Sequence, residues 1–240
     1  MPIFKPVLIV LLLLSGVVGN CFADVATVTV QGDAELKIPA DRAKFEVSVV
    51  VEAATPEIAL QENSERAEKV LAALQRGGLA EKEISSGQFV VAPQWSPRPR
   101  QASSDWKPKI IGYTVTNMLR VQTEKIDIVG RFIAAAVKAG GNEVNGLQFD
   151  LSDPRQYRQE AIRIATKRAN EDARVLAVAA DTSLGRVVSL TLDNARSIPV
   201  RAMADRAFMA EAKMAPPIIP GEVTVRASVT VVYELKNESN

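Results

Sequence analysis

The chain has 240 residues, of which 47% are hydrophobic and 24% are charged, and its formal net charge at pH 7 is +1. This composition indicates a globular protein rather than a disordered one, and a charge so close to zero gives no electrostatic reason to expect nucleic acid as a partner. The length fits one large domain or two small ones.

The first 23 residues predict a secretory signal peptide that is not part of the fold. Apolar and small residues run without interruption from Val7 to Val18, a stretch too short to span a membrane comfortably. The run leads to Cys21-Phe22-Ala23, whose small residues suit cleavage after Ala23 and leave residues 24–240 as the mature domain, without a transmembrane span. The alternatives are an uncleaved anchor and lipidation at Cys21, and Asn20 disfavours lipidation because a small residue is expected before a lipidated Cys.

Cleavage after Ala23 leaves a mature chain that contains neither Cys nor His. This excludes a disulfide, a thiol nucleophile, a Ser-His-Asp triad and a zinc site built from His or Cys. We therefore expect no catalytic, metal-binding or cofactor-binding residues, and no cofactor. The fold must be stabilised by its own core, by partner subunits or by both.

The mature chain begins with two predicted strands and a helix. Val25 to Val30 and Lys44 to Val51 have strand patterns, and Gly32-Asp33 and Pro39-Ala40-Asp41 indicate a turn-rich connection between them. Thr55-Pro56 predicts a helix start, with Thr55 as N-cap and Pro56 at the first position. The apolar seam of this helix is predicted at Leu60, Ala67, Val70, Leu71 and Leu74, and Gly77-Gly78 ends it.

A long strand from Ile110 to Thr123 lies at the centre of the sequence, because its β-branched and aromatic residues alternate with period two. A strand from Ile84 to Ala92 and a Pro-rich loop from Pro93 to Lys109 precede it, which predicts a long hairpin with a large tip. Asn117 falls on the mostly apolar face. An unpaired amide there would cost stability, so we expect it to form a hydrogen bond.

Two further helices follow. Glu124 to Ala139 predicts the second, and Asp153-Pro154 begins the third, which extends to about Ala180. The second helix ends in Gly140-Gly141 and is followed by a strand, as the first helix is, which suggests an internal helix-strand repeat. The inward residues of the second helix are predicted at Ile126, Val129, Ile133, Ala136 and Val137. Those of the third are predicted at Ile162, Ala165, Ala169, Ala173, Leu176 and Ala180.

The chain ends in two predicted strands, Gly185 to Leu192 and Glu222 to Leu235, separated by a long loop from Asp193 to Gly221. The second strand is expected to pair antiparallel with the first if the loop is a hairpin tip. The elements together predict an α+β fold, with an antiparallel or mixed β-sheet covered by helices, long β-hairpins and the internal repeat.

Three stretches resemble one protein family: VTVQGDAELKIPADRAKFEVSV near the start, GYTVTNMLRV in the middle and VTVRASVTVVYEL at the end. Together with the leader, they make the chain similar to the SIMPL-domain family, which includes periplasmic immunogenic proteins and an oxidative-stress defence protein. The resemblance implies an α+β fold, a periplasmic location and subunits that assemble into homo-oligomers. It implies no catalytic residues.

The two predicted hairpin tips supply the candidate contact residues. The first tip contains both tryptophans, Trp95 and Trp106, together with Arg98 and Arg100, and exposed Trp and Arg favour binding surfaces. The second contains Met203, Met209 and Met214, which could be oxidised before core residues are. The alternatives are that the first tip buries its Trp residues on its own subunit and that the Met residues only fill gaps.

Two groups of charged residues have a functional and a structural interpretation. Asp150, Asp153 and Asp193 could supply a carboxylate pair for acid-base work on a glycoside, but a helix cap and solvated turns are favoured. A basic stripe on the third helix could bind a polyanion, although interspersed acids favour a solvated face. The stripe consists of Arg158, Arg163, Lys167, Arg168 and Arg174.

Three functions remain open from the sequence. The favoured one is a non-enzymatic periplasmic protein that forms homo-oligomeric assemblies in envelope or oxidative stress defence. A monomeric module could instead present the two tips to an envelope, glycan or peptide partner. A His-free hydrolase is disfavoured, because no Ser lies in a nucleophile-elbow position.

Overall fold

The computed structural model describes residues 25–101, 103–201 and 218–237. It contains two antiparallel sheets and three α-helices, which confirms the predicted α+β class. In chain order the elements are β1 (Thr27–Pro39), β2 (Arg42–Ala53), α1 (Pro56–Arg76), β3 (Ile84–Trp95), β4 (Ile110–Thr123), α2 (Val129–Ala139), β5 (Glu143–Asp150), α3 (Pro154–Ala179), β6 (Thr182–Ile198), β7 (Val200–Arg201) and β8 (Glu222–Asn237).

The larger sheet has the strand order β3-β4-β2-β5-β7. Its first four strands and two helices follow each other as β2-α1-β3-β4-α2-β5, in which two helix-strand units interleave. This is the split βαβ arrangement of ferredoxin-like folds. The predicted internal repeat is therefore confirmed, because each half consists of a strand, a helix that ends at a glycine pair, and a second strand.

Helix α1 covers β2 and β4 with one buried stripe. Its start is as predicted, since Thr55 Oγ1 accepts a hydrogen bond from Ile58 N at 3.4 Å and Pro56 is the first helical residue. The predicted seam is wrong at Leu60, which is largely exposed, because Ala59 faces the sheet instead. The buried residues of the stripe are Ala59, Asn63, Ala67, Val70 and Leu74.

The buried amide of this layer is Asn63 and not Asn117. Asn63 is fully buried, and its Nδ2 donates to the backbone carbonyl groups of Val49 at 2.7 Å and Val115 at 3.0 Å. It therefore ties α1 to two adjacent strands. Asn117 is only half-buried, and its side chain forms no hydrogen bond with another described residue. The predicted pairing of Asn117 is not found there.

The smaller sheet has the order β1-β8-β6, and α3 packs across one of its faces. Gly32 lets the helix come close to β1. A Cβ atom built on Gly32 would lie 2.7 Å from Ala169 N and 2.9 Å from Ala169 Cβ, and closer still to Ala165 O. The predicted turn at Gly32-Asp33 is therefore wrong, since β1 continues through it to Pro39 in one register with β8. The glycine serves a close approach rather than a turn.

The inward face of α3 consists of small residues, as predicted, and Asp153 caps its start by accepting from Arg155 N at 3.0 Å. The predicted face is wrong at Leu176 and Ala180, which are exposed. Its buried positions recur at every fourth residue, and these positions are Ala161, Ala165, Ala169, Ala173 and Ala177.

Two further elements, α2 and β3, differ from their predicted bounds. Helix α2 begins at Val129 after a short 3₁₀ turn, so the predicted start at Glu124 is too early, and Val137 is exposed rather than inward. Strand β3 continues to Trp95. Pro93 lies within it because β3 is the outermost strand of its sheet, where a missing N–H is tolerated.

The predicted loop from Asp193 to Gly221 is wrong in its first part. Strand β6 extends to Ile198, since Asn194 to Ile198 continue the pairing with β8, and β7 then crosses to pair with β5 in the larger sheet. The antiparallel pairing of β6 with β8 is confirmed.

A cluster of ion pairs joins β2 to β5 within the larger sheet, beside the connection from β1 to β2. The Asp150 carboxylate binds Arg42 Nε at 2.5 Å and Lys44 Nζ at 2.6 Å, and Asp41 accepts hydrogen bonds from the backbone and hydroxyl of Ser152. Buried residues of both sheets belong to one continuous apolar core.

Candidate binding surfaces

The three carboxylates considered for catalysis each have a structural partner. Asp150 pairs with Arg42 and Lys44, Asp153 caps α3, and Asp193 accepts a hydrogen bond from Thr230 Oγ1 at 2.6 Å. Burial would raise the pKa of Asp150, but hydrogen bonds from its two basic partners outweigh it and lower that pKa. A carboxylate held in its charged form in this way stabilises the pairing of β2 with β5.

Glu83 is the most strongly shifted carboxylate among the described residues. It accepts hydrogen bonds from Lys125 Nζ at 2.7 Å, Thr123 Oγ1 at 2.6 Å and Ala80 N at 2.7 Å. Burial opposes its ionisation, but these hydrogen bonds outweigh burial and lower its pKa from 4.5 to about 2. Through these hydrogen bonds the Glu83 carboxylate links the turn after α1 to the end of β4.

We expect Glu83→Gln to make the fold less sensitive to acid. The pKa of Glu83 is lowered on folding, so its contribution is complete above the unfolded value of 4.5 and is lost as pH falls towards about 2. In wild type, protonation of Glu83 over this pH interval should lower the free energy of unfolding by about 1 kcal/mol, after allowance for solvent screening. The Gln variant lacks this loss. The midpoints of urea unfolding, measured for both proteins at neutral pH and at a pH of about 2, give the difference. Glu68→Gln, on the exposed face of α1, should behave like wild type.

The basic stripe of α3 is largely engaged within the subunit. Arg163 pairs with Glu160 at 2.5 Å and Lys167 with Glu171 at 3.6 Å. Arg158 donates to Ala195 O at 3.2 Å and Arg168 to Asp33 O at 2.7 Å, both on neighbouring strands. The interpretation as a solvated, internally paired face therefore fits the structure better than a polyanion site.

The first predicted tip extends an exposed apolar surface on the β3–β4 hairpin. Trp95 is 55% exposed at the end of β3, Trp106 is half-buried in the tip, and Arg98 and Arg100 are exposed. We call this the hairpin surface. Its large exposed apolar residues are Phe89, Val91, Trp95, Ile110 and Ile111. The alternative in which the tip buries both tryptophans is wrong for Trp95.

The methionines of the second predicted tip, Met203, Met209 and Met214, lie outside the described residues.

The sequence did not predict a second exposed surface along β6. This strand is an outer strand of the smaller sheet, and four large apolar residues in its central part are between 42% and 59% exposed. We call these residues, Val187, Val188, Leu190 and Leu192, the β6 edge. The run GRVVSLTL signalled a strand, but only the strand order places it at the sheet's border. An exposed apolar border strand tends to pair with another chain.

The described ranges contain neither a candidate metal-binding cluster nor a candidate membrane-spanning helix. No group of three or more His, Cys, Asp and Glu residues there could hold a metal ion. No helix within those ranges is both long and apolar enough to cross a membrane.

Comparison with known proteins identifies the family to which this chain belongs. The model of the SIMPL family, described as a protein of unknown function (DUF541), matches residues 28–233. The chain therefore belongs to the SIMPL family, as its resemblance predicted.

Two curated relatives are similar to most of this chain. The 26 kDa periplasmic immunogenic protein of Brucella melitensis is 29% identical over 215 residues, covering 88% of this chain and 85% of the relative. The uncharacterized protein YggE of Escherichia coli K12 is 26% identical over 171 residues, covering 71% of this chain and 67% of the relative.

Proposed function

We propose that this chain is a non-enzymatic periplasmic protein that forms homo-oligomeric assemblies and takes part in envelope or oxidative stress defence. The observation that carries the assembly is the β6 edge. It combines large exposed apolar side chains with a strand border, and burying both against a second copy removes apolar area from water.

Export of the chain is supported by the predicted leader and by the Brucella relative, which is named periplasmic. In this proposal cleavage after Ala23 leaves residues 24–240 without an anchor. The stress-defence role is supported by the family resemblance, which includes an oxidative-stress defence protein. The absence of an enzymatic role is supported by the structural partners of Asp150, Asp153 and Asp193.

The hairpin surface is proposed as a second contact. Trp95, Arg98 and Arg100 are the residue types that dominate binding energy at interfaces. They could contact a second copy, or they could present a single subunit to an envelope, glycan or peptide partner. This second function, a monomeric binding module, is favoured by the 55% exposure of Trp95 beside two exposed arginines.

We expect Leu190→Lys to reduce the mass of the assembly without unfolding the subunit. Leu190 is 59% exposed in the subunit, so the substitution should change its free energy of unfolding by less than about 0.5 kcal/mol. An uncompensated ammonium in a buried contact is costly. Light scattering measures the mass, and circular dichroism verifies the fold.

The matched control is Val137→Lys, which makes a similar change at an exposed position of α2 and should leave the mass unchanged. If Leu190→Lys keeps the wild-type mass while Trp95→Lys lowers it, the hairpin surface and not the β6 edge is the contact. If both variants keep the wild-type mass, neither surface joins the subunits.

A further inference from the structure

An open groove lies between β1 and the C-terminal half of α3. Its volume is about 390 Å³, and it is lined by Thr29, Val30, Gln31, Asp172, Val175 and Leu176. Val175 is 68% exposed and Leu176 is 49% exposed, although they lie on a helix whose other outward positions are mostly charged. The groove therefore has an apolar helical wall and a strand as its other wall.

The strand wall offers free backbone hydrogen-bonding groups. Among the described residues, strand β1 is an outer strand that pairs only with β8, and that pairing keeps one register from Thr27 to Pro39. Leu235 N donates to Ala26 O, so the even-numbered residues at this end of β1 direct their backbone groups to β8. The backbone groups of Thr27, Thr29 and Gln31 consequently point the other way, towards the groove.

Arg168 marks where this free border ends. Its Nη1 donates to Asp33 O at 2.7 Å, which shows independently that an odd-numbered carbonyl of β1 points away from β8. The same contact occupies the acceptor that would come next along the strand. The open border is therefore the short stretch from Thr27 to Gln31, long enough to pair with only a few residues of another chain.

The charge in the groove is negative. Other acidic residues of α3 are paired, Glu160 with Arg163 and Glu171 with Lys167. No ion pair in the described part of the chain involves Asp172, which is one of the residues that line the groove. A ligand that fits must complete a strand, cover Val175 and Leu176, and bring a positive charge to Asp172.

We infer that this groove binds an extended segment of another protein chain by strand addition. The segment carries apolar side chains at alternate positions and a Lys or Arg that faces Asp172. Main-chain hydrogen bonds to Thr29 and Gln31 supply affinity, and the helical wall of α3 supplies selectivity, as in other sites where a peptide adds a strand beside a helix. This goes beyond the proposed assembly, which uses other surfaces.

The test uses the whole mature protein and short fluorescent peptides with alternating Val and Thr and one central Lys. Fluorescence anisotropy should show saturable binding. A peptide of the same sequence with N-methyl groups on alternate amides cannot form the ladder and should not bind. A lack of saturable binding, or equal binding of the N-methylated peptide, would overturn the inference.

Two variants locate the site. Asp172→Lys should weaken binding of the Lys peptide at least about tenfold and favour a peptide with Glu at the same position, because the charges are exchanged. Val175→Asn should weaken both peptides, because it removes part of the apolar wall without adding a charge. Glu68→Lys, which makes a charge change similar to that of Asp172→Lys on α1, should have no effect. If the Asp172→Lys variant instead forms an assembly of lower mass than wild type does, a second copy of the chain occupies the groove and the inference fails.

Discussion

Asn63→Asp is expected to destabilise the fold by about 3–5 kcal/mol at neutral pH, because it places an uncompensated buried carboxylate against two carbonyl oxygens. The substitution keeps the size and shape of the side chain, so packing is unchanged. It converts Nδ2, which donates to Val49 O and Val115 O, into an acceptor. Chemical denaturation measures the loss. The loss should shrink in acid, where the protonated carboxyl can donate again and burial has raised its pKa.

The matched control is Asn117→Asp, the same chemical change at a half-buried position whose side chain forms no hydrogen bond with another described residue. It should cost less than about 1 kcal/mol. Equal losses for the two variants would contradict the role assigned to Asn63, and a loss that does not depend on pH would show that the buried charge is not its cause.

Gly32→Ala is expected to lower stability by about 3 kcal/mol, which corresponds to a fall of roughly 6–12 °C in the thermal midpoint of a chain of this size. The added methyl group would meet backbone atoms, Ala165 O and Ala169 N, that cannot rotate away. Helix α3 must therefore move off the smaller sheet. Differential scanning calorimetry measures the change.

Two controls test whether the close approach is the cause. Gly87→Ala makes the same change in β3, where the nearest atoms are the flexible Met118 Cγ and Sδ at 3.1 Å, and it should cost much less. Adding Ala169→Gly to Gly32→Ala should not restore stability, because the main clash is with backbone. A rescued double variant would contradict this account.

The sequence predicted best those elements whose signals are local. The period-two pattern placed β4 correctly at both ends, since alternation needs no knowledge of neighbouring strands. The Thr55-Pro56 and Asp153-Pro154 pairs placed two helix starts correctly, because capping is decided within one turn. The glycine pairs after α1 and α2 revealed the repeat for the same reason.

The errors arose where distant contacts decide. Gly32 was interpreted as a turn because a glycine cannot show from sequence whether it serves a bend or a close helix. The pairing with β8 extends β6 to Ile198 through residues that lack a strand pattern. Asn63 lies on the predicted seam between Leu60 and Ala67, and its position among apolar residues was the available signal of a buried amide.

The candidate surfaces were predictable only in part. Trp95 was identified from residue type, and its exposure agrees with a contact role. The β6 edge was not identified, because Leu190 and Val187 have the same strand pattern in a central strand and in an outer one. Exposure of such residues follows from strand order, which the sequence did not specify.

The solution mass of the mature protein tests the proposed function most directly. Light scattering on the chain recovered from the periplasmic fraction, across a wide range of concentration, gives the number of subunits without a variant. The account predicts a mass that is a fixed multiple of the mature chain and is independent of concentration above the dissociation range. The mass of a single subunit at every concentration would contradict it.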